Sequence, residues 1–135
     1  RHSRRPIPRA PLSRMKDAIL GSRYQLSVAF IGPHEMARLN GLYRKMRGST
    51  DILSFPLGKD AGELVFSMTD VDRKSSDFGM TKGQYFKYLI VHGLLHLKGL
   101  DHGRTMDGLE VSFCRRFRIK HPSATVVRRP PERQR

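Results

Sequence analysis

Apolar positions recur along this chain in blocks whose spacing changes from element to element. Leu12, Met15, Ile19 and Leu20 fall on one side of a helix, with Ser13 placed to cap it and Gly21 to stop it. Tyr24 to Ile31 alternates and is rich in strand formers, which predicts a strand. Pro33 suits the first turn of a helix that continues through Met36, Leu39 and Tyr43. Residues 44–50 (RKMRGST) carry no periodicity and predict a loop. Asp51 to Phe55 predicts a second strand, ended by Pro56, and Gly62 to Met68 a short third one. Residues 70–83 are polar and predict an irregular crossing loop. Gln84 to Lys98 is the longest stretch with helical apolar spacing, and a last helix over residues 106–117 presents Leu109, Phe113 and Phe117 on one side. No repeats are visible.

The long apolar stretch carries chemistry. Tyr85, Leu89, His92 and His96 are spaced i, i+4, i+7 and i+11, so two histidines one turn apart continue a core-facing stripe. Gly99 can adopt the backbone conformation that stops a helix, and the chain can then bring His102 back towards the first two rings. Three neutral imidazoles with a fourth position open to water form the ligand pattern of a catalytic zinc site, one ion per chain. Nickel or copper would suit the same donors. A partly dry setting keeps such rings neutral and strengthens the field of the ion. His92, His96, Gly99 and His102 also fit the metzincin protease pattern H-E-x-x-H-x-x-G-x-x-H, but position 93 is glycine. A peptidase of that kind without its glutamate lacks the general base, so the cage favours hydrolysis while Gly93 argues against peptide hydrolysis.

Charge narrows the substrate. The formal net charge is +14, and it sits at the two ends. Residues 1–16 hold six Lys/Arg and no acid, residues 115–135 hold eight and one acid (Glu132), and the stretch between is nearly neutral. Arg-rich basic ends of this kind bind polyanions, nucleic acid first among them. The proline-bearing arm 1–11 and the Pro/Arg-rich tail 119–135 are expected to be flexible, flanking a single domain over 12–118. Cys114 is the one cysteine, in apolar and basic surroundings, and is read as a buried structural thiol. That fits a reducing compartment, the cytoplasm or its equivalent in an organelle. No apolar run reaches the ~20 residues of a membrane span and no secretory signal is read. A first residue of Arg rather than Met fits a trimmed or incomplete N-terminus.

His92-Gly-Leu-Leu-His96-Leu-Lys-Gly99-Leu-Asp101-His102 resembles the HGxLHLxGxDH signature of the YbeY family, bacterial endoribonucleases and ribosomal RNA maturation factors. Leu39-Asn40-Gly-Leu-Tyr43-Arg44, followed by Ser49-Thr50-Asp51-Ile52-Leu53-Ser54-Phe55-Pro56, is similar to that family's L-N-x-x-[YF]-R…T-D-V-L-S-F-P block, and Gly62-Glu63-Leu64-Val65-Phe66-Ser67 to its G-[DE]-I-x-I-S strand. The resemblance covers about residues 24–117 and leaves out the basic ends. It implies an α+β domain in which a small mixed sheet is packed with helices and the metal lies at one end of a cleft. It also implies zinc on His92, His96 and His102, a functional arginine at Arg44, and single-stranded ribosomal RNA as substrate, with the ribosomal subunit or its assembly factors as partners.

The residues themselves agree with that chemistry. Arg44 could clamp nonbridging phosphate oxygens in a fork, with Lys45 and Arg47 extending the patch. Asp101 either orients a ligand imidazole or caps the local turn. Glu63 is the nearest candidate for the missing base, although a glutamate at a strand start is more often solvated. Asn40 reads as a loop-bonding residue and Ser54 as a packing or turn residue. Two rivals remain at this stage: an RNA or ribosome assembly factor with a structural zinc, and a small metallopeptidase.

Overall fold

The computed structural model describes residues 7–122. Along the chain run α1 (Leu12–Leu20), β1 (Gln25–Phe30), α2 (Pro33–Arg44), β2 (Ile52–Gly58), β3 (Ala61–Phe66), α3 (Met68–Asp77), α4 (Lys82–Leu97) and α5 (Arg104–Arg116). The strands form one mixed sheet in the order β1-β3-β2. β1 is parallel to β3, from Gln25↔Ala61 to Phe30↔Phe66, and β2 is antiparallel to it, from Ile52↔Phe66 to Gly58↔Ala61. This is an α+β fold.

Strand alternation splits the apolar side chains between two faces. Ile52, Leu64 and Phe66 join the main core around α4, while Leu53 and Val65 join Ile31 and Met36 in a smaller cluster with Leu39 and Phe55. α4 is the centre of the molecule. Eleven of its sixteen residues are buried, so it needs partners all round, and α1, α3, α5 and the sheet supply them. Thr81 starts α4 by accepting the Gln84 backbone N–H at 3.1 Å. Where α4 crosses the sheet it does so on Gly93. A Cβ there would lie 2.7 Å from Leu64 Cδ2, 2.8 Å from Ile52 Cδ1 and 3.2 Å from Ser54 Oγ.

Four expectations need correction. Residues 68–77 are helical rather than an irregular loop. The reason they read as loop is that two of the four buried positions of α3 are polar, Asp70 and Ser75 alongside Met68 and Val71. Asp70 is tolerated because Ser67 Oγ (2.6 Å), Arg73 (2.6 Å) and Ser49 all donate to its carboxylate. The third strand consequently stops at Phe66. Pro56 does not end β2, which continues to Gly58 past an irregularity at Pro56/Gly58; an edge strand can carry a residue without an N–H. Ser13 does not cap α1, whose cap position is Pro11.

The packed unit also reaches past 12–118. Ile7 and Ala10 pack against the main core, and Ile119 and His121 are buried. The rest of the expected arm and tail, residues 1–6 and 123–135, lies outside the described residues.

Candidate metal centre

The C-terminal end of α4 builds the site. Gly99 adopts φ +104°, the Gly99 N–H donates to His96 O (2.9 Å) and the Leu100 N–H to Leu95 O (3.1 Å). This paired closure ends the helix and turns the chain back, as the sequence predicts for a glycine here. His102 thereby joins His92 and His96, and the three offer ligand atoms within 4.8 Å of one another. Ring centroids are 4.6 Å apart for His92 and His96, 4.9 Å for His96 and His102, and 5.3 Å for His92 and His102. Burial grades across the set. His92 is buried, His96 half-buried and His102 exposed, so the site is anchored in the core and opens to solvent.

Hydrogen bonds fix the tautomers. A carbonyl can only accept, so His96 Nδ1 carries the proton it donates to Leu100 O at 2.9 Å. His92 Nδ1 likewise donates to the Glu110 carboxylate. Both Nε2 atoms are then lone-pair donors, and they face each other at 3.1 Å. Two lone pairs at that distance repel unless a proton or cation lies between them. The separation is close to the ~3.3 Å between two nitrogens on a tetrahedral zinc. The donor set therefore fits a metal. Burial, followed by the neighbouring His102, pushes the His96 imidazole below its ordinary value and favours the neutral, ligating form.

Glu110 is the residue that sequence reasoning missed. It is buried on α5, on a stripe with Met106 and Cys114. Burial alone would raise its carboxyl, but hydrogen bonds from His121 and His92 more than offset this and hold it at about 2. An acid on a core-facing stripe was the available signal, since a buried charge must be paired. Cys114, one turn on, is buried as expected, and burial, with the charge of Glu110 adding to it, pushes the thiol up to about 12.

Arg44 at the end of α2 lines a cleft of about 260 Å³ together with Leu53, Ser54 and His96. A candidate metal ligand, His96, and Arg44 thus share one opening. Lys45 and Arg47 are exposed on the loop that follows, outside that lining. Asn40 Nδ2 donates to Gly48 O at 3.0 Å and holds this loop, the role its sequence context suggested. Ser54 Oγ lies 3.5 Å from Gly93 O, at the packing of α4 on the sheet. Asp101 is exposed in the turn, and its charge favours the protonated form of His96.

Glu63 does not join the histidines. Leu64 faces α4, so its neighbour Glu63 projects from the opposite face of the sheet. The position of the peptidase glutamate is closed as well, because residue 93 is pressed against Leu64 and Ile52.

Residues 10–115 match the family model described as endoribonuclease YbeY. The chain is similar to the endoribonuclease YbeY of Thiobacillus denitrificans, 30% identical over 84% of each chain. It is 34% identical to that of Bordetella petrii over 76% of this chain and 73% of the relative. With the Aquifex aeolicus protein it shares 38% identity over 58% of this chain, spanning 56% of that relative. The solution structure of TM1509 from Thermotoga maritima has the same fold, with a TM-score of 0.57 over 90% of this chain and 89% of that one at 23% identity. On the match over residues 10–115 and these relatives, the chain belongs to the YbeY endoribonuclease family, hydrolases that cut RNA phosphodiester bonds.

Proposed function

We propose that this protein is a metal-dependent endoribonuclease that cuts single-stranded ribosomal RNA during maturation, with the ion on His92, His96 and His102. One observation carries the reading: two Nε2 lone pairs face each other at 3.1 Å, with His102 completing the set, at a cleft that Arg44 also lines. When bound, a divalent ion, for which zinc is the default with three imidazoles, supplies Lewis acidity and acidifies a water. The residues of the chain do the rest. His92 and His96 keep their Nε2 atoms deprotonated because their Nδ1 protons are committed to Glu110 and Leu100. Arg44 binds and orients the scissile phosphate by hydrogen-bonding its nonbridging oxygens, where negative charge grows in the transition state. Lys45 and Arg47 extend the backbone contact away from the cut.

The exposure of His102 favours catalysis over a purely structural ion, since a structural site is closed by protein ligands. The test is metal analysis of the purified protein with RNA cleavage measured before and after chelation. Cleavage should stop on chelation and in His96→Ala, and in Arg44→Glu it should stop with metal content unchanged. Cleavage that persists in metal-free protein overturns the reading. Loss of thermal stability without metal, in a protein that binds RNA but never cuts it, would make it an assembly factor.

A further inference from the structure

The residues just past α5 reach back to the metal centre. After Arg116 the chain reverses in a tight turn: Arg118 takes the left-handed conformation (φ 58°), its N–H donates to Arg115 O (3.2 Å), and the Ile119 N–H donates to Cys114 O (2.7 Å). Ile119 is buried in the main core, and the Lys120 N–H donates to Gln84 Oε1 at 2.7 Å. These three anchors deliver His121 to the core. There Nε2 donates to Glu110 Oε1 at 3.0 Å, and the ring packs edge-on against Tyr88, 5.4 Å between centroids. Glu110 Oε2 accepts from His92 Nδ1.

We infer that Glu110 and His121 are positioning residues for the metal. His121 clamps one oxygen of the carboxylate, so that the other holds His92 in the tautomer and ring orientation that aim Nε2 at the ion. The physical case rests on what each group lacks alone. His92 stands on α4 and, without a partner on Nδ1, could rotate about its side-chain bonds; a carboxylate there fixes both the ring and the proton. That carboxylate sits on a different helix and has its own torsions, and a second donor on its far oxygen removes them. His121 is not one of the three clustered imidazoles, yet it is buried, and the residues leading to it are tied down. The segment 117–121 therefore acts as a strap from the last helix to the metal centre, reaching it through Glu110.

This inference rests on the metal reading above, and the test separates the two. Zinc affinity of the full chain is measured by competition with a chromophoric chelator, and the tautomer of His92 is read from long-range imidazole proton–nitrogen NMR spectra of the metal-free protein. The parent should bind one zinc and show a His92 ring protonated at Nδ1. His121→Leu should weaken zinc binding roughly 10-fold and Glu110→Leu by about 10–100-fold, the range found when outer partners of ligand histidines are lost. Both should mix the His92 tautomers. His121→Gln, whose amide can still donate to Glu110, should recover most of the affinity. Affinity of His121→Leu within twofold of the parent and an unchanged His92 tautomer overturn the strap. If Glu110→Leu does not fold, His121→Leu and His121→Gln decide the matter. A parent that binds no zinc removes the metal reading itself.

Discussion

Replacing Gly93 with alanine sets two effects of opposite sign against each other. In an exposed helix interior the change stabilises by about 1 kcal/mol, because alanine has less backbone freedom to lose. Here the added methyl would sit 2.7 and 2.8 Å from the ends of Leu64 and Ile52, where carbon atoms prefer ~3.5–4.0 Å. Both neighbours are fully buried, at 0% and 1% exposure, so neither can swing into open space. Overpacking of this kind costs roughly 1–3 kcal/mol. The expected net is a loss of about 1 kcal/mol, or roughly 3–4 °C in Tm for a chain of this size. Urea denaturation of metal-free protein measures it, with an unchanged m-value showing that the unfolded state is unaltered. Because His92 and His96 ride on the same helix, α4 displaced from the sheet should also weaken metal binding. An alanine variant more stable than the parent would refute the reasoning, since helix propensity alone would then have decided.

Three further outcomes follow from other contacts. Tyr85→Phe removes the hydroxyl that donates to Asp51 Oδ2 at 2.7 Å and should cost about 1.5–3 kcal/mol in the same denaturation assay, as both groups are buried and the acceptor is a carboxylate. Cys114 should resist iodoacetamide in the native protein at pH 8 and react once unfolded. Its folded value is raised to about 12 from an ordinary 9.0, so the unfolded chain loses that proton first; its contribution to stability is intact below pH 9 and declines as pH rises towards 12, which thermal melts across that window would detect. Zinc at ~100-fold above its Kd should add about 2.7 kcal/mol, less whatever the unfolded chain binds, and the gain should vanish in His96→Ala.

What the sequence made legible was what its local chemistry dictates. The glycine that closes α4, the histidine stripe and the proline that opens α2 each act within a few residues, and each behaves as its side chain requires. The failures are long-range. Helix α3 hides because it buries Asp70 and Ser75; Ser67 just before the helix and Arg73 one turn on donate to Asp70 locally, but Ser49 reaches it from 21 residues away. Glu110 looks solvated until His92 and His121 are seen to converge on it from residues 18 and 11 positions away. His121 stands in a proline-bearing segment whose composition suggests no packing at all. Periodicity can place an acid on a buried stripe, as it does Glu110, but it does not say which distant group pairs with it.

All three candidate ligand positions fall within residues 92–102, in one unbroken run. Closing so short a loop carries little entropic cost, so a denatured or half-synthesised chain keeps its imidazoles tethered near one another. Such a chain competes with the native one for the same ion, and an ion that both states hold lends the native one less than its affinity suggests.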